Sequence, residues 1–188
     1  LPKVGNGDLA GRVGVFMYDA DGSRVKGTVN GVTVVYIAGL YEWQAGATTK
    51  YYDGGAMRRS GHTSDNGVFY VLADHLGSTS VIVSQAGVEM SREYHYPFGA
   101  NRGSAFSELT TKRFTGQYHE AGLAGVEGLS YYNAQWYDPQ VGRVASADTI
   151  VPRLDDPQAL NRFSYARNEP LGRIDPSGHG DGCNPALY

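Results

Sequence analysis

The chain has a single cysteine, Cys183, among its 188 residues, so no internal disulfide can form and the Cys/His frameworks of zinc sites are excluded. Charge is also sparse. Only 19% of the residues are Asp, Glu, Lys or Arg, and 16 basic against 19 acidic side chains leave a formal charge of −3. The basic residues are scattered, so the footprint of a nucleic-acid or anionic-membrane binder is missing. No run approaches the roughly 20 apolar residues of a spanning helix. The opening LPKVGNGDLAG lacks the basic start and apolar centre of a signal peptide, so any export signal is removed or lies upstream. A start at Leu1 rather than Met points to a processed or excised product. Helix is scarce as well: Glu120 to Gly128 carries too many glycines, and only short turns near Asp74-His75-Leu76 and from Asp156 to Leu160 fit.

What the chain does have is 26 Gly and 14 Tyr, a composition of strands and tight turns. VGVFMY, SRVKGTV and VTVVYI are alternating or β-branched runs. Asp19-Ala20-Asp21-Gly22 separates the first two, and Asn30-Gly31, the pair that best tolerates positive φ, separates the second two. They predict a three-stranded meander. LYEWQ, TTKYY, FYVLA, TSVIVS, VEMSREYHY, KRFTG, LSYYNAQWY and RFSYA are further predicted strands, with Asp53-Gly54-Gly55, Asn66-Gly67 and Ala86-Gly87 among the turns. The fold class is all-β, a winding antiparallel sheet of short strands with very little helix.

A weak repeat runs through the chain. YDADGSRV (Tyr18, Asp19, Gly22, Arg24) and YDPQVGRV (Tyr137, Asp138, Pro139, Gly142, Arg143) share Tyr-Asp at the front and Arg-Val at the back. In an extended chain the tyrosine ring can lie on one sheet face while the Asp starts the turn. From Tyr70 onward come YVLADHLGSTS (Asp74, His75, Gly77), YHYPFG (Tyr96, Pro97, Phe98, Gly99), RFTGQ, YYNAQWYDPQVGRVASADTI, NRFSYARNEP and IDPSG (Asp175, Pro176, Gly178). In this order the blocks resemble the C-terminal associated core of rearrangement-hotspot (RHS), or YD-repeat, proteins, and Tyr18 to Arg24 looks like a YD repeat. The resemblance divides the chain into an extended N-terminal segment (1–13), YD-repeat-like hairpins (14–69), the associated core (70–178) and a C-terminal tail (179–188). No linker separates them, so they are expected to form one continuous domain.

Chemical candidates are few. Asp74-His75 with His62, His95 and His119 suggests metal ligation, but none has helical i, i+4 spacing, and turn hydrogen bonding is the better reading. No metal and no cofactor are expected. Asp19 to Gly22 opens like a calcium loop but lacks the later bidentate Glu. Ser78 and Ser177 are not in a nucleophile elbow, and Gly122, Gly125 and Gly128 do not form a phosphate loop. His179 and Cys183 are separated by helix-breaking glycines, and Cys183 is a candidate for cross-linking to another chain. The resemblance implies aspartyl self-cleavage at IDPSG, with Asp175 the matching residue. His179 stands where the pattern has Leu.

The expectation is therefore a non-enzymatic, extracellular structural β-scaffold whose sheet edges pair with copies of itself, plausibly as the subunit of a helical filament. The alternative is the terminal piece of a larger RHS shell that encloses a toxin cargo or mediates surface contact. Further repeats of the same polypeptide would then cover the edges. Partners in either case are protein, with no nucleic acid and no membrane insertion, and the location is secreted or cell-surface in a bacterium.

Overall fold

The computed structural model describes residues 4–9, 12–103, 106–123, 127–147, 160–179 and 182–183. Among them, ten strands form one antiparallel sheet in which each strand pairs only with its neighbours in sequence. These are β1 (Val4–Leu9), β2 (Arg12–Tyr18), β3 (Arg24–Val29), β4 (Val32–Ile37), β5 (Tyr41–Gln44), β6 (Ala47–Tyr51), β7 (Ala56–Ser60), β8 (Gly67–Ala73), β9 (Thr79–Ser84) and β10 (Glu89–Arg92). A four-stranded sheet follows, made of β11 (Tyr118–Glu120), β12 (Leu129–Tyr132), β13 (Gln135–Asp138) and β14 (Arg143–Val144). β15 (Arg173–Ile174) and β16 (Gly182–Cys183) make a small closing pair.

One turn geometry recurs through the molecule. Asp19 N–H donates to Ser23 O at 2.9 Å while Gly22 N–H donates back to Asp19 O at 3.3 Å. The same two bonds close the turns at Asp74 to Ser78, Ser84 to Val88, Tyr96 to Ala100 and Arg113 to Gln117. In all five the fourth residue is a glycine with φ between 71° and 88°, the left-handed position of a three-residue hairpin loop with a bulge. Asp19 and Asp74 strengthen theirs by accepting two further backbone N–H bonds each on Oδ1, at 2.8 to 3.0 Å.

The core is where the second half of the chain crosses the ten-stranded sheet. Strand alternation turns Phe16, Arg24, Tyr36, Glu42, Thr49, Met57, Phe69 and Ile82 to the buried face. Residues 106–123 form a strap that walks back across this face, strand by strand. Leu109 packs on Met57, Phe69 and Ile82 of β7 to β9. Thr110 meets Tyr51 of β6 at 2.9 Å, and Thr111 donates to Glu42 of β5 at 2.7 Å. Tyr118 lies 5.0 Å from the Tyr36 ring of β4, Glu120 pairs with Arg24 of β3, and Leu123 packs on Phe16 of β2. A second core of Leu76, Phe114, Tyr132, Tyr137, Val144 and Tyr165 joins the strap to the last third of the chain.

Several predicted strands differ from the structure. LSYYNAQWY is a hairpin rather than one strand, because Asn133 takes φ 55° and turns β12 into β13. KRFTG contains a short 3-10 turn, Phe114–Gly116, with Thr115 at φ 50°. RFSYA contributes a lone bridge, Arg143 to Ser164, and then turns through Ala166–Asn168. VEMSREYHY is strand only over Glu89–Arg92, and β7 carries no signal that the sequence reading used. The compositional change near Tyr70 falls inside β8; the sheet runs on to Arg92, and the architecture changes there. The turn expected from Asp156 to Leu160 lies, apart from Leu160, outside the described residues.

Candidate functional site

Arg24 is the focus of the interface between sheet and strap. Its side chain is 2% exposed, and its Nη1 donates to Glu120 Oε1 at 2.7 Å. The guanidinium carbon lies 4.1 Å from the centre of the Tyr36 ring, 4.7 Å from Tyr131, 5.3 Å from Tyr118 and 5.7 Å from both Phe16 and Trp136. Among the described residues Arg24 Nε and Nη2 have no hydrogen-bond partner, so ring faces provide most of the compensation for the buried cation. Tyr36 OH donates to the same Glu120 oxygen at 3.0 Å. Burial, with the Glu120 carboxylate second, pushes the Tyr36 phenol well above its ordinary value, so Tyr36 stays a donor.

The second Tyr-Asp copy behaves differently, and register explains why. In the first copy the loop returns so that Tyr18 faces Arg24 across the ladder, which places both side chains on the buried face. In the second, the Asp138 to Gly142 loop is one residue longer, and Arg143 faces Asp138 while Val144 faces Tyr137. A shift of one residue moves a side chain to the other face. Arg143 is accordingly exposed, and Val144 occupies the buried place beside Tyr137.

The remaining motif residues are brought together in a few places. Tyr137 OH donates to Phe98 O at 2.6 Å, and Gly142 packs close to the Phe98 ring, so the Tyr96-Pro97-Phe98-Gly99 turn is seated on the second copy. His75 Nε2 donates to Leu171 O at 3.2 Å. The Asp175 to Gly178 loop sits on the β12 to β13 hairpin: Asn133 Nδ2 donates to Pro176 O at 3.0 Å, and Ala134 N–H to Ser177 O at 3.1 Å. Asp175 is buried, and its Oδ1 accepts the Gly178 N–H at 2.8 Å and the Ser177 N–H at 3.3 Å.

Sequence reasoning missed several buried polar groups, Glu42 and Arg59 among them. Glu42 Oε1 accepts from Tyr51 OH at 2.8 Å and from Thr111, and burial raises its carboxyl above the usual range. Beside it opens a cavity of about 620 Å³ lined by Glu42, Tyr51, Arg59, His62, Asp65 and Glu108, among others. Arg59 donates to Asp65 O and to His62 Nδ1, which fixes Nε2–H of His62 as the donor toward Thr48 O at 3.1 Å. The candidate histidines share no common site: His62 is held at this cavity, His75 at Leu171, and His119 in the strap against Ser130 and Glu127, with His95 near it across the Phe106 ring. Among the described residues no group of three His, Cys, Asp or Glu side chains could hold a metal ion.

No family model matches the chain. Among curated proteins it is 31% identical over 134 residues to salivary gland surface protein 1 of Aedes aegypti, covering 70% of this chain and 4% of that protein. It is 29% identical over 175 residues to the tRNA3(Ser)-specific nuclease WapA of Bacillus spizizenii, covering 87% of this chain and 7% of that protein. Toxin subunit YenC2 of Yersinia entomophaga is 32% identical over 106 residues, covering 54% and 10%. The chain thus spans a tenth or less of the length of these relatives. The WapA name corrects the expectation that the protein is not an enzyme: a relative that aligns with 87% of the chain is named as a nuclease. A mosquito relative beside bacterial ones leaves the bacterial assignment resting on the toxin and WapA likenesses. The crystal structure of TcdB2-TccC3-Cdc42 superposes with a TM-score of 0.72 at 22% identity, over 89% of this chain and 9% of that one. The antiparallel β-fold is therefore the one found within TcdB2-TccC3, and among the similar proteins TcdB2-TccC3, WapA and YenC2 are of RHS type, in line with the sequence resemblance.

Proposed function

We propose that the chain is a wall segment of an RHS-type shell within a larger toxin or surface polypeptide. The observation that carries this reading is the ten-stranded meander, in which each strand adds to the last and one face is sealed by the chain's own strap. Such a sheet grows by addition of hairpins and is covered without help from another subunit, as a wall requires. The names of the relatives support the setting: a toxin subunit, a nuclease and a surface protein. In this reading the protein is secreted or surface-exposed, its partners are further repeats of the same polypeptide and other toxin subunits, and any nuclease activity belongs to the whole polypeptide.

Cryo-electron microscopy of the longest natural polypeptide that contains this sequence is the direct test, and a closed β-shell with this segment in its wall is the expected image. Helical fibres built by edge pairing of the 188-residue chain, with no shell from the longer polypeptide, would replace the shell by the self-associating scaffold. Self-cleavage at Asp175 belongs to the same proposal. Burial of its carboxyl, capped by the Ser177 and Gly178 N–H groups, gives it a fixed position from which to act. Asp175→Asn should abolish a C-terminal fragment on denaturing gels of the longer polypeptide. Absence of that fragment from the wild type would remove the cleavage step.

A further inference from the structure

A buried imidazole and a half-buried one share a cluster at the strap, and nothing in the shell reading uses them. His119, on β11, is 6% exposed; its Nδ1 accepts from Ser130 Oγ at 3.1 Å, and its Nε2–H donates to Glu127 O. Both nitrogens of the neutral ring thus have partners, and a second proton on Nδ1 would require the Ser130 hydroxyl to turn from donor to acceptor. His95, in the loop after β10, has a buried Nε2 with no hydrogen-bond partner among the described residues. Its ring stacks 5.5 Å from Phe106 and 5.8 Å from Phe114, and Phe106 in turn stands edge-on to His119 at 5.5 Å. Phe106 thus links the two histidines at the start of the strap.

Burial of the cluster opposes a further proton. Arg113 lies over the Phe106 ring, 4.6 Å from its centre, and is tied by Nη1 to Glu93 at 2.5 Å and by Nη2 to Ser107 O. Burial lowers the affinity of His95 for a proton, the Asp74 carboxylate pulls the other way, and the Arg113 cation adds a smaller depression. For His119, burial acts most strongly, the Glu127 carbonyl and carboxylate pull the other way, and Arg113 and His95 add to the depression, leaving its pKa at about 4. Glu93 works in the opposite sense, because burial raises its pKa and a proton on it is favoured in the fold.

We propose that His95, Phe106 and His119 form an acid-sensitive latch, which holds the 106–123 strap on the sheet while both imidazoles are neutral and releases it when they take up protons. The sign follows from linkage. A histidine whose folded pKa is depressed contributes its full stability above about pH 6.5 and loses it as pH falls toward about 4. The released element is the strap, because both rings contact Phe106 at its start and His119 lies within it, whereas β4 to β9 are held by their own ladders.

Hydrogen–deuterium exchange of the 188-residue chain at pH 7.5 and pH 5.0, corrected for the intrinsic rate at each pH, tests this. Protection of 106–123 should fall at least tenfold at pH 5.0 while β4 to β9 keep theirs. The double variant His95→Phe with His119→Gln should abolish the difference. If the double variant does not fold, His95→Phe alone, at a partly exposed position, should reduce it severalfold. Loss of protection in strap and sheet together, or a full-sized acid response in His95→Phe, would overturn the latch.

Discussion

Arg24→Ala is expected to lower the unfolding free energy by about 3–5 kcal/mol, the range for removing one partner of a buried ion pair. The substitution leaves the Glu120 carboxylate, at 16% side-chain exposure, with Tyr36 OH as the donor that remains from the pair's shared network. It also empties a site bounded by five aromatic rings, and each desolvated ring contact with a cation is worth about 0.5–2 kcal/mol. Arg24→Lys should recover less than half of the loss, because an ammonium has neither the planar face that stacks on Tyr36 nor the fixed fork of donors. A double-mutant cycle with Glu120→Ala should return a coupling of about 1–3 kcal/mol, since the two side chains share one contact. Urea unfolding followed by tryptophan fluorescence measures all four, with Trp136 itself in the cage. A cost of less than about 1 kcal/mol for Arg24→Ala would mean that the rings, rather than the ion pair, hold the interface.

The contrast between Arg24 and the rest of the cage shows what the sequence could reveal. Asn30-Gly31, Asp19 to Gly22 and the alternating runs around them act over a few residues, and the β2 to β4 meander could be read from them directly. Glu120 could not be assigned to Arg24, because 96 residues separate them and the register that joins them comes from the path of the strap. The strap has no periodicity: its contacts change from apolar at Leu109 to hydroxyl at Thr110 and Thr111, aromatic at Tyr118 and acidic at Glu120, following the strand beneath. One available signal was not used. Glu120 is a charged residue within a segment of aromatic blocks, and such a residue needs a cation if it is buried. The false strands have a local cause. Asn133, Thr115 and Arg167 adopt φ near +50° without glycine, so β-rich surroundings concealed the reversals. The repeat was legible as letters, but the one-residue difference in loop length that buries Arg24 and exposes Arg143 becomes meaningful only when paired across the ladder.

Gly178→Ala is expected to detach the Asp175 to Gly178 loop from the β12 to β13 hairpin, at a cost of about 3 kcal/mol or more. Two effects add. Gly178 has φ +77°, where an L-residue costs about 1–2 kcal/mol. A Cβ at this position would also stand 2.1 Å from Tyr132 O and 3.1 Å from the backbone nitrogens of Ala134 and Gln135. Those are backbone atoms of the hairpin, with no flexible side chain to yield, so the loop has to move as a unit. Its bonds from Ala134 N–H to Ser177 O and from Asn133 Nδ2 to Pro176 O would then break, and Asp175 would lose its caps. Gly31→Ala separates the two effects, because Gly31 has φ +82° with open space around its would-be Cβ and should cost only the conformational 1–2 kcal/mol or so. Thermal unfolding and limited proteolysis of both variants give the comparison: Gly178→Ala should be cut near residue 178 under conditions in which wild type and Gly31→Ala are intact. Equal costs for the two substitutions would show that the close approach to Tyr132 carries no energy and that the loop rests on the hairpin through its hydrogen bonds alone.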